Sequence, residues 1–225
     1  MKWVLDADIQ GFFDTLDHGC LMRFVEHRIG DQRILRLLHK WLRAGVLEDG
    51  EFVGREAGTV QGGSISPLLA NIYLHYALDL WVHQWRKRHA RGEVIIVRYA
   101  DDFVVGFEHQ DDGTRFLGAL RERLSTFSLT LHPDKTRMLE FGRFAITNRR
   151  RRGEGKPETF EFLGFTHICG RSRRGRAMLL RKTSRKRFQV KLVEIHRILR
   201  RRLNWSIPQM GTYLRAVLRG HVAYY

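Results

Sequence analysis

The amino-acid sequence predicts an α+β fold, in which an antiparallel sheet backed by helices precedes a helical C-terminal region. Residues 94–98 and 103–107 are rich in β-branched and aromatic side chains and flank a short acidic turn, a pattern typical of a β-hairpin. Residues 68–91 carry apolar side chains at helical spacing and end in a basic turn before Gly92. These patterns favour a mixed fold over an all-helical or an all-β one.

Periodicity and turn residues predict the other elements in chain order. An apolar run that ends at Asp8 predicts the first strand. Two short helices follow this strand, and Asp31 is positioned to cap the second of them. Pro67 suits the first turn of the long helix, because an N–H group there has no partner within the helix. The remaining predictions are helices over residues 21–29, 34–42, 116–127, 184–203 and 209–222, strands over 137–141 and 159–165, a loop or hairpin over 48–56 and a loop over 149–155.

The positive charge of the chain is concentrated at its C-terminal end. Lys and Arg number 40 against 24 Asp and Glu, a net charge of +16 in 225 residues. Residues 171–225 hold 16 of these basic residues against a single acidic one, Glu194. This asymmetry predicts a polyanionic partner and two domains, residues 1–170 and residues 171–225.

Composition excludes several other classes of protein. Hydrophobic residues make up 43% of the chain, enough for a buried core. The only cysteines, Cys20 and Cys169, lack the spacing of a metal site or a disulfide framework. No run of about 18 apolar residues occurs and the N-terminus is unlike a signal peptide, so the sequence predicts a cytoplasmic protein without membrane association.

Carboxylates at the ends of two predicted strands indicate a metal site. Asp101 and Asp102 form the hairpin tip, and Asp8 ends the first strand. Adjacent aspartates alone are typical of an ordinary solvated turn. Three carboxylates brought together can instead hold two metal ions for phosphoryl transfer, and Mg²⁺ prefers such oxygen ligands. Asp6 and Asp14 remain alternative ligands.

Five motifs in a fixed order resemble those of one enzyme family. In chain order they are DIQGFFD at residues 8–14, GTVQGGSISPLLANIYL at 58–74, YADD at 99–102, LTLHPDKT at 129–136 and FEFLGF at 160–165. They resemble the palm motifs and the primer grip of bacterial group II intron-encoded reverse transcriptases of the maturase type, and residues 218–225 resemble the thumb of that family. The resemblance implies a reverse-transcriptase palm followed by a partial helical thumb, or maturase, region.

The resemblance also implies an activity, RNA-directed DNA polymerisation with two Mg²⁺ ions, for which Mn²⁺ is a substitute. It assigns Asp8, Asp101 and Asp102 to the catalytic metals and adds Ile9 to the metal-binding set. Lys135 is then the general acid that protonates the departing pyrophosphate. The alternative for Lys135 is a solvated side chain after a turn.

The remaining site residues implied by the resemblance fall into three groups. The nucleotide-binding group is Ile9, Gln10, Gly11, Phe12, Phe13, Gln61 and Gly62. The primer and template group is Tyr99, Phe162, Leu163 and Gly164. The RNA-binding group is Arg185, Lys186, Arg187, Arg197, Arg200 and Arg201. For Phe13 and Tyr99 the alternative role is packing inside the protein.

The implied partners are an RNA template, intron RNA, a DNA primer or target, and deoxynucleotide triphosphates; the oligomeric state is left open. The chain begins close to the first palm motif and stops inside the thumb, so we expect a family member truncated at both ends, without the fingers that contact the triphosphate. Such a chain is expected to show little primer extension alone. The alternative function is that of a catalytically inactive, RNA-binding maturase remnant.

Overall fold

The structure is a computed structural model that describes residues 1–43, 46–48, 51–53, 58 and 65–225. Its strands are β1 (Trp3–Ala7), β2 (Val46–Glu48), β3 (Glu51–Val53), β4 (Val94–Tyr99), β5 (Asp102–Phe107), β6 (Arg137–Glu140), β7 (Phe160–Phe162), β8 (Phe165–Arg171) and β9 (Ala177–Thr183). Its α-helices are α1 (Phe12–Thr15), α2 (His18–Glu26), α3 (Gln32–Arg43), α4 (Ser66–Leu74), α5 (Leu80–Arg88), α6 (Gln110–Ser125), α7 (Ala145–Arg151), α8 (Arg185–Arg201) and α9 (Ile207–Tyr224), and a π-helical segment (His75–Asp79) joins α4 to α5. These elements confirm the predicted α+β class.

A four-stranded antiparallel sheet of order β4-β5-β1-β6 carries the predicted hairpin. Along β5, Phe103, Val105 and Phe107 alternate into the core, where the Phe107 ring lies 5.3 Å from that of Phe116 on α6. Fully burying one such side chain contributes about 1.5–3 kcal/mol to folding. Exposed Ile95 on β4 marks the other, uncovered face, as is common in antiparallel sheets.

The chain divides into two compact units. The larger unit comprises Met1–Glu158 and Cys169–Met178, and the smaller one comprises Thr159–Ile168 and Leu179–Tyr225. Residue 170 lies inside strand β8, and the division into a palm domain and a thumb region at that residue stays a prediction.

The long predicted helix contains a π-helical interruption. Helices α4 and α5 follow one another through His75–Asp79, where the hydrogen bonds span one residue more than in an α-helix. The guanidinium of Arg123 on α6 donates to the backbone carbonyls of Tyr76 and Ala77, at 3.0 Å each. Because Arg123 is distant in sequence, this support for the interruption could not be predicted locally.

Two local predictions were wrong. Residues 149–151 of the loop predicted over residues 149–155 form instead the end of helix α7, which is attached to β6 because Asn148 and Arg152 both bind the carboxylate of Glu140. The strand predicted over residues 159–165 is the short strand β7 and a turn into the hairpin of β8 and β9, which the predicted elements did not include. Basic and small residues in these two strands interrupt the alternation of apolar and polar side chains that would have indicated a hairpin.

Across the described ranges, no helix is both long enough and apolar enough to cross a membrane.

Gly58 attaches the start of the second motif to the first. Its N–H donates to the carbonyl of Leu16 at 2.8 Å, and its own carbonyl accepts a hydrogen bond from the imidazole of His18. Its φ is +82°, and an added Cβ would lie 2.7 Å from the carbonyl oxygen of Phe13 and 2.8 Å from that of Asp14. Neither backbone atom can move without displacing the first motif, so only glycine fits here.

We therefore expect Gly58→Ala to lower the free energy of unfolding by about 1–3 kcal/mol, because it combines a strained φ with a backbone clash. Urea unfolding of the full chain measures this effect. Gly118→Ala is the matched control, since Gly118 lies inside α6 with open space around it and the change should stabilise the helix. An unchanged unfolding midpoint for Gly58→Ala would contradict the proposed attachment.

Candidate functional site

The pairing of β1 with β5 brings carboxylates to one edge of the central sheet. The two strands are antiparallel, with Asp6 opposite Val104 and Ala7 opposite Phe103. The residues that continue this register are Asp8 and Asp102, so both lie at the same edge. The sequence prediction that the first strand and the hairpin present their carboxylates side by side agrees with this register.

The pKa of Asp6 reflects its burial first and the neighbouring carboxylates to a smaller extent. Burial raises the pKa of the Asp6 carboxyl above its ordinary value, the contact with Arg137 opposes this shift, and the charges of Asp8 and Asp102 add to it. Asp6 Oδ2 accepts a hydrogen bond of 3.3 Å from Arg137. The alternative ligand Asp6 is therefore half-buried within β1 and has its own cationic partner, whereas Asp8 lies beyond the strand end.

Lys135 lies among these carboxylates. Its Nζ donates to Asp8 Oδ2 at 2.8 Å. This hydrogen bond, the charge of Asp8 and the more distant charge of Asp102 raise the pKa of the Lys135 ammonium above its ordinary value. The Lys135 side chain is 61% exposed and so remains accessible to a ligand. The structure thus places the predicted general acid beside the predicted metal ligands rather than on an isolated turn.

Backbone hydrogen bonds fix the first motif against the fourth. The N–H of His132 donates to the carbonyl of Asp8, and the N–H of Gln10 donates to that of Thr130, both at 2.8 Å. Ile9 forms an isolated bridge with Leu131 between these two bonds. The pairing holds Asp8 and the turn that carries Lys135 in one register.

The predicted nucleotide-binding residues divide by burial. The side chains of Ile9 and Phe12 are buried in the core, so only their backbone groups are available to a ligand or a metal. Gln10 and Gly11 are exposed, and Phe13 is half-buried with its ring 5.4 Å from that of Phe12. The two other predicted members of the group, Gln61 and Gly62, lie outside the described residues.

The tip of the hairpin is a two-residue turn, Ala100 and Asp101, between the paired residues Tyr99 and Asp102. Ala100 has a φ of +55°, a strained value for a residue with a Cβ. Tyr99 is 67% exposed, so its ring does not pack beneath the hairpin. Asp101 is half-buried.

The donor set at this edge suits a hard cation, because it consists of aspartate carboxylates. Within the part of the chain that the structure describes, however, no three His, Cys, Asp or Glu side chains are arranged to hold one ion. One carboxylate oxygen of Asp8 is bound to Lys135. The assignment of two metal ions to Asp8, Ile9, Asp101 and Asp102 therefore remains a proposal.

The predicted primer-grip motif forms a second strained turn, in the smaller unit. Phe162 pairs with Phe165, and between them Leu163 and Gly164 have φ values of +52° and +82°. The hydroxyl of Tyr224 donates to the carbonyl of Leu163 at 3.1 Å. The sequence analysis did not identify Tyr224 as a partner, because it lies 61 residues away.

Gly164 is enclosed by the C-terminal helices. Its carbonyl accepts from the N–H of Ser184 at 2.8 Å. A Cβ on Gly164 would lie 3.0 Å from the hydroxyl of Tyr225 and 3.1 Å from the guanidinium of Arg187. The turn is therefore bound by the N–H of Ser184, which precedes α8, and by the hydroxyl of Tyr224 on α9, while Arg187 and Tyr225 lie beside it.

Helix α8 presents the predicted RNA-binding cations to solvent. All six are exposed: Arg185, Lys186, Arg187, Arg197, Arg200 and Arg201. The acidic residue Glu194 is paired with Lys191 at 3.0 Å. A groove of about 380 Å³ between α8 and α9 is lined by cationic and aromatic residues that include Arg187, Lys191, His221 and Tyr225. Such a surface suits the phosphates and bases of a nucleic acid.

We expect Asp6→Asn to alter the pH dependence of stability. A raised pKa in the folded state means that protonated Asp6 stabilises the fold at low pH and that this contribution is lost as the pH rises through the folded-state pKa. Asparagine stays neutral, so the melting temperature of the variant should rise relative to that of the parent between pH 3 and pH 7. Thermal unfolding across this range measures the difference.

The control for this measurement is Asp111→Asn, because Asp111 is exposed in the first turn of α6. A difference between Asp6→Asn and the parent that does not change with pH would contradict the raised pKa of the half-buried Asp6 carboxyl.

Comparisons with known proteins indicate the family of the chain. The family model described as reverse transcriptase (RNA-dependent DNA polymerase) matches residues 1–167. Protein YkfC of Escherichia coli is 32% identical over 192 residues, 68% of this chain and 49% of YkfC. The group II intron-encoded protein LtrA of Lactococcus lactis is 42% identical over 90 residues, 40% of this chain and 15% of LtrA. The matches thus span half or less of these relatives.

Solved structures support the fold. The telomerase of Candida albicans, solved in complex with a TWJ fragment of telomeric RNA, superimposes with a TM-score of 0.56 over 99% of this chain and 39% of its own, at 15% identity. Apo telomerase from Candida tropicalis, truncated from its C-terminal domain, gives the same TM-score over 80% of this chain and 35% of its own, at 14% identity. Since the family model also matches 167 of the 225 residues, the chain belongs to the reverse transcriptase (RNA-dependent DNA polymerase) family.

Proposed function

We propose that this chain carries the polymerase chemistry of a group II intron-type reverse transcriptase. The reaction is attack of the 3′-hydroxyl of a DNA primer on the α-phosphate of a deoxynucleotide triphosphate, with release of pyrophosphate, on an RNA template. One observation carries the proposal: Asp8, Asp102 and Lys135 meet at one sheet edge, where their charges act on one another. Phosphoryl transfer depends on this kind of positioned charge.

The carboxylates and the lysine have different roles in this proposal. Asp8, Asp101 and Asp102, with backbone from Ile9, would hold two Mg²⁺ ions, or Mn²⁺ as a substitute, and the bound ions would neutralise the attacking and leaving oxygens. Lys135 holds a proton, with its pKa raised by Asp8, and donates it to the departing pyrophosphate.

The incoming nucleotide would contact the exposed part of the first motif. Gln10 and Gly11 offer backbone groups at a strand end, and the half-buried ring of Phe13 offers a wall beside the sugar. Gln61 and Gly62 complete this proposed group. Exposed Tyr99 is available to stack on the primer end, and the turn of Phe162, Leu163 and Gly164 would support the primer backbone.

A second proposed function is binding of intron RNA through the C-terminal helices. The six exposed cations of α8 lie outside the residues matched by the family model, and the relative LtrA is named as a group II intron-encoded protein. Cations that contact phosphates give an affinity for nucleic acid that does not depend on its nucleotide sequence. RNA binding would persist in a chain without polymerase activity. The alternative function of this protein is therefore that of a catalytically inactive, RNA-binding maturase remnant.

We expect Asp101→Ala to reduce primer extension on the order of 100-fold or more, because metal ligation supplies several kcal/mol of transition-state stabilisation. The measurement is extension of a primed RNA template with four deoxynucleotides and Mg²⁺ or Mn²⁺. It uses this chain alone and this chain joined to the fingers of a group II intron-encoded relative, since fingers contact the triphosphate in the family that the motifs resemble.

The matched control is Asp111→Ala, an exposed acidic residue on α6. Equal extension by Asp101→Ala and the parent would refute the metal assignment. If neither protein extends a primer, the RNA-binding alternative gains support.

RNA binding should depend on α8 and weaken with salt. Each phosphate contact with a single strand contributes about 0.7 to the slope of log affinity against log salt, so replacing six contacting cations should reduce that slope by up to about four. The variant replaces the six predicted residues with Gln: Arg185, Lys186, Arg187, Arg197, Arg200 and Arg201. Filter binding to a single-stranded RNA at several salt concentrations measures the slope.

The control removes the same charge from the larger unit. It replaces six exposed cations of α3, α5 and the loop after α5 with Gln: Arg33, Arg36, Lys40, Lys87, Arg88 and Arg91. An equal loss of slope in both variants would show that net charge, rather than the α8 surface, governs binding.

A further inference from the structure

The turn that carries Asp101 has an unusual backbone. Ala100 adopts the left-handed conformation, which is unfavourable for a residue with a Cβ. Conformations of this kind persist where the surrounding structure holds them, and they cluster at active sites. Ala100 therefore needs neighbouring groups that hold it in this conformation.

Arg98 forms a hydrogen bond with this turn. Its Nη1 donates to the carbonyl of Ala100 at 2.8 Å. That carbonyl belongs to the peptide unit that leads into Asp101, and because a peptide unit is planar, the hydrogen bond also fixes the plane of the Asp101 N–H. Arg98 thus acts directly on the backbone from which the Asp101 carboxylate projects.

Arg98 is itself fixed by a fork of hydrogen bonds. Its Nε donates to Asp79 Oδ1 at 2.8 Å and its Nη2 to Asp79 Oδ2 at 2.6 Å, a bidentate pair. Its Nη1 also donates to Asn71 Oδ1 at 2.9 Å. Asn71 is oriented in turn, since its Nδ2 donates to the carbonyl of Pro67. The Arg98 side chain is only 14% exposed, so solvent competes little with these bonds.

The π-helical segment explains why two helical residues reach one guanidinium. In an uninterrupted α-helix, Asn71 and Asp79 would be about 80° apart around the axis. The wider π turn over His75–Asp79 rotates Asp79 back toward the face of Asn71. π-Helical turns often occur at functional sites, and this one ends at the residue that binds Arg98.

We propose that Arg98 is a positioning residue for the reverse-transcriptase reaction. Held by Asp79 and Asn71, it couples the helix of the second motif to the turn of the third and keeps Asp101 directed at the site. The proposal rests on the proposed function, because Asp101 is there a metal ligand. Lysine cannot replace Arg98 in this role, since one ammonium cannot form the fork and reach the Ala100 carbonyl together.

The test is hydrogen exchange of the full chain, which needs no enzymatic activity. In Arg98→Lys, the backbone amides of residues 97–104 should exchange at least tenfold faster than in the parent, while those of β1 and β6 stay unchanged. Asp79→Asn should act in the same direction. Asn71→Ala removes one of the hydrogen bonds to Arg98, together with the bond from Asn71 to Pro67, and leaves the ion pair in place. It should have a smaller effect in the same direction, and it carries the test if the other two variants fail to fold.

Arg115→Lys is the matched control. Arg115 also binds an aspartate, Asp112, and a backbone carbonyl, that of His89, but at the opposite end of the hairpin. The proposal is overturned if residues 97–104 exchange no faster in Arg98→Lys than in Arg115→Lys. It is also overturned if exchange accelerates equally throughout the central sheet, since Arg98 would then support the fold in general.

Primer extension separates this proposal from the function on which it rests. With the chain joined to family fingers, Arg98→Lys should lower kcat at least tenfold and leave the KM for primer and template within twofold of the parent. An unchanged kcat would overturn the positioning role. If Asp101→Ala extends primers as the parent does, the proposed function fails, and hydrogen exchange still decides whether Arg98 holds the turn.

Discussion

The antiparallel pairing of β1 with β5 is the constraint on which the candidate site depends. It fixes Asp6 opposite Val104 and so directs Asp8 and Asp102 to one sheet edge. The neighbouring turn is then joined through backbone hydrogen bonds to Asp8, which brings Lys135 to the same carboxylates. A shift of one residue in the register would move these side chains to the opposite face and separate them. The arrangement of the carboxylates and the lysine at the candidate site is therefore a consequence of strand register.

Two turns with strained residues follow a common principle in this protein. Ala100 and Leu163 both have positive φ values, and in each case a side chain donates a hydrogen bond to the strained residue's own carbonyl. The donor is a guanidinium in Arg98 and a phenol hydroxyl in Tyr224, but each binds the carbonyl of the strained residue. Both turns belong to motifs that resemble functional parts of reverse transcriptases, and strain of this kind is retained where a precise backbone is required.

The two compact units differ in how they use charge. The larger unit concentrates negative charge at one sheet edge and compensates it with Lys135 and Arg137. The smaller unit carries exposed cations along α8, where a single acidic residue is already paired with Lys191. Carboxylates with cations suit metal-dependent phosphoryl transfer, whereas exposed cations suit the phosphate backbone of a long nucleic acid. The proposed polymerase and RNA-binding functions therefore rest on different physics and can be tested separately.

The sequence by itself determined the elements whose signals are local: the hairpin of β4 and β5, the helical segments, the basic C-terminal helices and the order of the motifs. Periodicity and turn residues suffice for these, because their partners lie within a few residues. Only the tertiary structure decided what holds the turn at Ala100. Asp79 and Asn71 lie 19 and 27 residues from Arg98, and no local pattern records such distances. Tertiary contacts likewise placed the first part of a predicted loop in α7, where Asn148 and Arg152 bind Glu140, and buried Phe12 in the core, since contacts between separate elements outweigh local preference.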